Sequence, residues 1–218
     1  MSSREAFLEG VRKALGRKSG QPVPAPPSPL LSIPAITPAA LITMFQQRLE
    51  ALGGVFHLVA TQEQACRQVE TIVGNGPAVA SNNGVLVKAG ITSLAGVQSG
   101  FLEEAALREA CTNAAFGITG ADYAMAETGT LVLFSSPAEA RLISLLPPVH
   151  IALVAASRLL TGIDELAAIA PNPAGLGSSM VLITGPSRSA DIEMILVRGV
   201  HGPRAIHVIV LEEESRIP

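Results

Sequence analysis

TPAALITMFQQRLEALGGVFHLVATQEQACRQVETIVGNGPAVAS, residues 37–81, decides the fold. Thr37-Pro38 is an N-cap followed by a first-turn proline: the hydroxyl satisfies a free helical N–H, and proline has none to lose. Leu41, Met44, Phe45, Leu49 and Leu52 recur at helical spacing, and Gly53-Gly54 stops the run. Residues 55–60 read as a strand. Thr61 with Gln64 makes a capping box. Ala65, Cys66, Val69, Ile72 and Val73 form a second apolar stripe, which Gly74 closes. Residues 77–81 are a short strand leading into the turn Asn82-Asn83-Gly84. Strands separated by helices need crossover connections, which predict parallel pairing in an open α/β sheet flanked by helices.

Downstream, strands are predicted at 85–87, 114–118, 130–134, 150–156, 180–184 and 205–211, with helices at 103–111 and 163–170. Upstream, Ser2 with Glu5 is a further capping box, Phe7, Leu8, Val11 and Leu15 share one helical face, and Gly16 ends that helix. Residues 19–38 hold Pro22, Pro24, Pro26, Pro27, Pro29, Pro34 and Pro38, and read as an extended spacer. The chain accordingly divides into a helix with a Pro-rich linker, 1–38, and an α/β domain, 39–218.

Composition narrows the function. The 218 residues are 48% hydrophobic and 15% charged, with net charge −3, so a partner protein is a better use of surplus apolar surface than nucleic acid. Aromatic residues are scarce (six Phe, one Tyr, no Trp), so Ala, Val, Leu and Ile must fill the core. Cys66 and Cys111 form no C-x-x-C, so no iron–sulfur cluster or thiolate zinc site is expected in this chain. His57, His150, His201 and His207 lack metal-ligand spacing, and no metal site is expected. Residues 142–160 are apolar but interrupted by Pro147, Pro148, His150 and Arg158, which argues against a membrane span. Met1-Ser2-Ser3-Arg4-Glu5 opens with no signal-peptide core, and a reducing, cytoplasmic setting is expected. There is no G-x-x-x-x-G-K phosphate loop. Gly175-Leu176-Gly177 lacks the third glycine of a dinucleotide fingerprint. Gly185-Pro186-Ser187-Arg188-Ser189 has serine where a nucleophile elbow needs glycine.

Three segments carry candidate chemistry. In Ala126-Glu127-Thr128-Gly129-Thr130, Gly129 lets backbone approach a ligand, Thr128 and Thr130 offer hydroxyls, and Glu127 is either a base or nucleophile or a structural cap. Arg141 offers a planar fork to a carboxylate or phosphate, or forms a surface ion pair, and His150 opens a buried strand as a core histidine. In the third segment Ser187, Arg188, Ser189 and Asp191 follow the strand at 180–184, with His201 and Gly202 nearby. Ligands in α/β sheets sit beyond the carboxyl ends of strands, so this turn is read either as an anion site or as a well-capped salt-bridged turn. The functional reading requires Thr128, Arg141, Ser187 and His201 to meet in one pocket.

These motifs, with Leu146-Pro147-Pro148-Val149-His150-Ile151 and Gly199-Val200-His201-Gly202-Pro203, resemble the LUD (lactate-utilisation) domain over about residues 115–211. The Ser3-Arg4-Glu5-Ala6 helix and Pro-rich linker are similar to the short, protein C branch of that family. Ser189 stands where the family pattern has Thr. The resemblance implies a sheet like that of the NagB/RpiA/CoA-transferase group. It also implies a place in a bacterial system oxidising L-lactate to pyruvate, beside two partners that carry iron–sulfur clusters. Three functions follow for comparison. The first is a cluster-free accessory subunit binding a small carboxylate or a partner. The second is a stand-alone CoA-transferase-like or sugar-phosphate-isomerase-like enzyme using Glu127. The third is a non-catalytic ligand sensor. Whether the chain is an enzyme is left open.

Overall fold

The computed structural model describes residues 3–18, 20–22, 33–169, 179–190 and 196–212. The Ser2 cap, most of the Pro-rich spacer, Gly175 to Gly177, and Asp191 lie outside the described residues. The chain divides into two units, Met1–Leu30 and Leu31–Pro218. The first holds helix α1 (Ser3–Ala14), none of whose residues is buried.

The second unit opens with α2 (Pro38–Ala51), capped by the Thr37 hydroxyl, which accepts from the Ala40 N–H. Then come β1 (Val55–Val59), α3 (Gln62–Val73), β2 (Ala78–Ala80), α4 (Gly84–Lys88), β3 (Val97–Gln98), α5 (Glu104–Asn113) and β4 (Phe116–Gly120). At α3 the Thr61 hydroxyl accepts from Gln64 N–H, and the Gln64 side chain reaches back to Ala60 N–H at 2.8 Å. A hairpin of β5 (Tyr123–Met125) and β6 (Thr130–Phe134) follows. It is succeeded by α6 (Arg141–Leu145), β7 (Val149–Ala155), β8 (Leu159–Leu160), α7 (Ile163–Ile169), β9 (Met180–Ile183), β10 (Arg188–Ala190), β11 (Leu196–Arg198) and β12 (Ala205–Leu211).

The main sheet has six strands in the order β1-β12-β7-β4-β2-β3, every neighbouring pair parallel. The alternating side-chain directions of its strands bury two faces. Ile118, Ile151, Leu153, Ile209 and Leu211 pack with Ala65 and Val69 of α3 and Leu86 of α4. Ala152, Val154, Val208 and Val210 pack with Phe45 and Leu49 of α2 and Leu131 and Leu133 of β6. That second face is therefore covered partly by a smaller sheet, ordered β8-β5-β6-β9, in which β6 runs antiparallel to both neighbours.

Two expectations are corrected. Residues 85–87 are helix rather than strand: Asn83 Oδ1 accepts from Val85 N–H and starts a short turn of helix that buries Leu86. The strand at 180–184 does not belong to the parallel sheet. As β9 it pairs antiparallel with β6, so the rule about ligands at parallel-strand carboxyl ends does not apply to the turn after it.

Candidate functional site

Prolines and glycines fold the segment after β9 back against the segment before β12. Ser187 N–H donates to Pro203 O at 2.9 Å, and Gly199 N–H donates to Ser187 O at 3.0 Å. Gly185, at φ 79°, packs so close to α2 that an added Cβ would stand 2.9 Å from that of Leu52. The result is a cleft of about 400 Å³, which includes Ser144, Thr184, Ser187, Arg188, His201 and Gly202 in its lining. It lies toward the amino ends of β7 and β12, where Arg204 N–H donates to Pro148 O. Arg188 and His201 are exposed and Ser187 is half-buried, so the cleft presents a guanidinium, an imidazole and hydroxyls to solvent, a set suited to an anionic oxygen.

Thr128 and Thr130 join this cleft through Thr184. The three hydroxyls form a chain, Thr128 to Thr130 at 2.7 Å and Thr130 to Thr184 at 2.9 Å. Gly129 is not among the residues lining the cleft and faces α2. At φ 65° it lies on the backbone of α2, where a Cβ would come within 2.7 Å of Leu49 N. Glu127 is exposed, and its carboxylate lies against Gly162 rather than among the residues lining the cleft. Ser189 is in β10, and its side chain falls outside the described residues, as does Asp191.

Arg141 opens α6 and lines a separate cavity of about 10 Å³ with Ser135, Glu139 and Ser144. Ser144 and Val181 line both spaces, so the small cavity adjoins the cleft. Glu139 does not stand out in the sequence, yet it is a buried carboxyl in the fold. It is 4% exposed. Its Oε2 accepts from Ser81 Oγ at 2.9 Å, Asn83 Nδ2 at 3.0 Å and Gly120 N–H at 3.2 Å. Its Oε1 is buried without a hydrogen-bond partner among the described residues. Burial outweighs these donors and pushes its pKa up to about 7, with the nearby Asp122 charge adding to the rise.

The place of Glu139 in the fold explains the cluster. Ser81 and Asn83 follow β2, and Gly120 ends β4. The chain leaves β2 toward the α3–α4 face and leaves β4 toward the small sheet. Strands whose exits diverge leave a crevice at their carboxyl ends, and Glu139 fills it. The only signal of it in the sequence is Ser81-Asn82-Asn83 directly after a strand.

His150 is fully buried. Its Nε2 bonds the Thr119 hydroxyl at 2.8 Å, Nδ1 has no partner among the described residues, and burial lowers its pKa to about 4. Among the described residues no group of three or more His, Cys, Asp or Glu side chains is arranged to hold a metal ion, and no helix is long and apolar enough to cross a membrane.

Comparison with known proteins adds to this geometry. A family model described as LUD domain matches residues 42–211. The chain is 30% identical over 219 residues to Lactate utilization protein C of Anoxybacillus flavithermus, covering 95% of this chain and 99% of that protein. It is also 30% identical to the protein of the same name from Macrococcus caseolyticus, covering 97% of each. Among solved structures, a DUF162 family protein from Deinococcus radiodurans has the same fold, with TM-score 0.60 and 22% identity over 81% of this chain and 99% of that one.

Proposed function

The chain belongs to the LUD domain family, and from that membership we propose that it serves bacterial L-lactate utilisation as a cluster-free accessory subunit that holds a small carboxylate. The observation that carries this reading is the end-to-end match to proteins named for lactate utilisation, with nearly the whole of both chains aligned. The cleft supplies the chemistry. Arg188 offers a charged fork, Ser187 and Thr184 offer hydroxyls, and His201 offers a ring nitrogen. A monocarboxylate of lactate or pyruvate size fits a space of about 400 Å³. The oxidation itself needs an electron acceptor. In this reading it comes from cytoplasmic iron–sulfur partners, and the sheet belongs to the NagB/RpiA/CoA-transferase kind.

The test has two arms. Affinity capture of the full chain from lactate-grown cells is expected to recover iron–sulfur proteins, and deletion of the gene is expected to abolish growth on L-lactate but not on pyruvate. Normal growth of the deletion strain on lactate would overturn the proposal.

A further inference from the structure

The main sheet has two edges of unlike character. β3 ends it with two residues, Val97 and Gln98. β1 ends it with five, Val55-Phe56-His57-Leu58-Val59, without the Lys, Glu, Asp or Pro that ordinarily keep an exposed edge from pairing. Leu58 is 46% exposed on the face where Phe56 packs with α2, and Val55 is 41% exposed on the face where Val59 packs with α3. Both faces of this edge are therefore open to solvent. The ladder to β12 fixes which backbone groups point outward. Val59 O accepts from Glu212 N–H at 2.9 Å, so the peptide groups of Val59, and by alternation those of His57 and Val55, point at β12. Those of Phe56 and Leu58 point away from the sheet, and their N–H groups have no partner among the described residues. The flanking N–H groups are already taken: Gly54 donates to Leu49 O at 3.0 Å and Ala60 to Gln64 Oε1 at 2.8 Å. The available donors thus stand symmetrically about His57.

We infer that this edge is a self-association surface, on which two copies of the chain pair β1 with β1 antiparallel across a two-fold axis at His57. A two-fold axis presents the same patch from both copies, and this patch complements itself. Phe56 faces Leu58 of the second copy and Leu58 faces its Phe56. Each facing pair exchanges two backbone hydrogen bonds, about four in all. Sliding one strand by two residues sets an available donor against Gly54 or Ala60, whose N–H groups are occupied. The side chains agree with the backbone. Exposed Leu58 meets Phe56 on one face and exposed Val55 meets Val59 on the other, apolar against apolar. His57 meets His57 on the axis. Its ring is held toward β12 by the 3.2 Å hydrogen bond between its Nε2 and His207 Nδ1, away from the approaching strand. β1 carries no acidic or basic residue, Lys or Arg, to oppose a like charge in the second copy. A single strand of this length buries less than the roughly 800 Å² per partner of a standard interface, so association is expected near 100 µM rather than at nanomolar concentration. The inference does not depend on the lactate reading.

Sedimentation velocity of the full chain from about 5 to about 500 µM reads the mass across that range. The mass is expected to rise from that of one chain, 22.5 kDa, toward that of two. Leu58→Pro deletes an outward donor at an edge position where proline is tolerated, and is expected to remain a monomer with an unchanged circular dichroism spectrum. Diamide oxidation of cysteine variants reads the register. His57→Cys sets two thiols across the axis in a non-hydrogen-bonded pair, with Cα atoms about 4.5 Å apart and within disulfide reach, and is expected to give a cross-linked dimer. Leu58→Cys sets each thiol opposite Phe56 and is expected to stay uncrosslinked, as is the wild type, which controls for Cys66 and Cys111. A wild-type mass that stays at one chain throughout, or a dimer that Leu58→Pro leaves intact, overturns the inference. So does cross-linking of Leu58→Cys in place of His57→Cys. Should Leu58→Pro fail to fold, the two cysteine variants decide alone.

Discussion

Glu127 stands among glycines and hydroxyls, whereas Glu139 stands in Ser136-Pro137-Ala138-Glu139-Ala140, with no motif around it. In the fold the first is exposed and the second buried, because burial of a carboxyl depends on what distant segments bring to it. Ser81, Asn83 and Gly120 arrive at Glu139 from two strands separated by a crossover, a convergence that residue spacing does not encode. Gly129 shows the opposite case. Its need for a glycine is legible, but the structure shows the reason to be a close approach to α2. Gly129→Ala is expected to cost about 1–2 kcal/mol for the left-handed backbone alone, with more from the contact at Leu49, seen as a lower urea midpoint. Unchanged stability would mean the hairpin turn can lift off α2. For binding, Arg188→Ala is expected to weaken lactate affinity about tenfold, near 1.4 kcal/mol. Glu127→Gln is expected to leave it within about twofold, since Glu127 does not line the cleft. Calorimetry on the two variants separates the sites, and the reverse ranking would move the ligand to the hairpin.

Elements are legible where a local signal agrees with the tertiary environment. The Thr37 and Thr61 caps and the stripes of α2 and α3 form as their residues predict, because capping chemistry and 3.6-residue spacing are properties of the segment itself. The helix α4 is hidden because Val85, Leu86 and Val87 look like a buried strand, and only the Asn83 side chain commits them to a turn. The small sheet is the largest gap. Its β9 shows the same apolar run as a parallel strand, and nothing in four residues states which sheet receives it. Short apolar runs fix neither type nor partner by themselves, as residues 85–87 and β9 show. Two substitutions in α2 weigh packing against capping. Phe45 is fully buried between the small sheet and the main one, so Phe45→Ala is expected to cost about 3–5 kcal/mol. Thr37→Ala, at the exposed cap, is expected to cost about 1 kcal/mol. Urea denaturation reads both. A cap variant as damaging as the core variant would show that α2 is held by its end rather than its face.

At the scale of the whole domain, the functional reading of the sequence needs Thr128, Arg141, Ser187 and His201 to meet, and the fold joins them in stages. Ser187 and His201 share the cleft, Thr128 is linked to it through a chain of hydroxyls, and Arg141 lines the adjoining cavity. What the residues do not announce is that a buried acid lies beside that junction, and its titration marks the stability of the entire chain. Glu139 has a folded pKa of about 7 against 4.5 for the free side chain, so its stabilising protonated state is present below pH 4.5 and is lost as pH rises through about 7. Burial raises Asp122 in the same direction. His150 runs the other way: lowered from 6.5 to about 4, it contributes above pH 6.5 and loses that contribution as pH falls toward 4. His57 and His207, stacked on adjacent strands and both lowered by burial, add to the acid-side loss. Glu139 and His150 nearly cancel between pH 4.5 and 6.5, so wild-type stability is expected to peak near pH 6.5 and to decline above it. Glu139→Gln removes the declining limb. Its stability relative to wild type should be greater at pH 8 than at pH 4.5 by about 3 kcal/mol, because a carboxyl that titrates at about 7 instead of 4.5 resists ionisation by about 1.4 kcal/mol for every pH unit between the two values. That difference of differences cancels any change in packing caused by the amide. Urea titrations at the two pH values measure it, and parallel curves for the two proteins would mean that Glu139 is ionised in the folded state and that the crevice between β2 and β4 admits water freely.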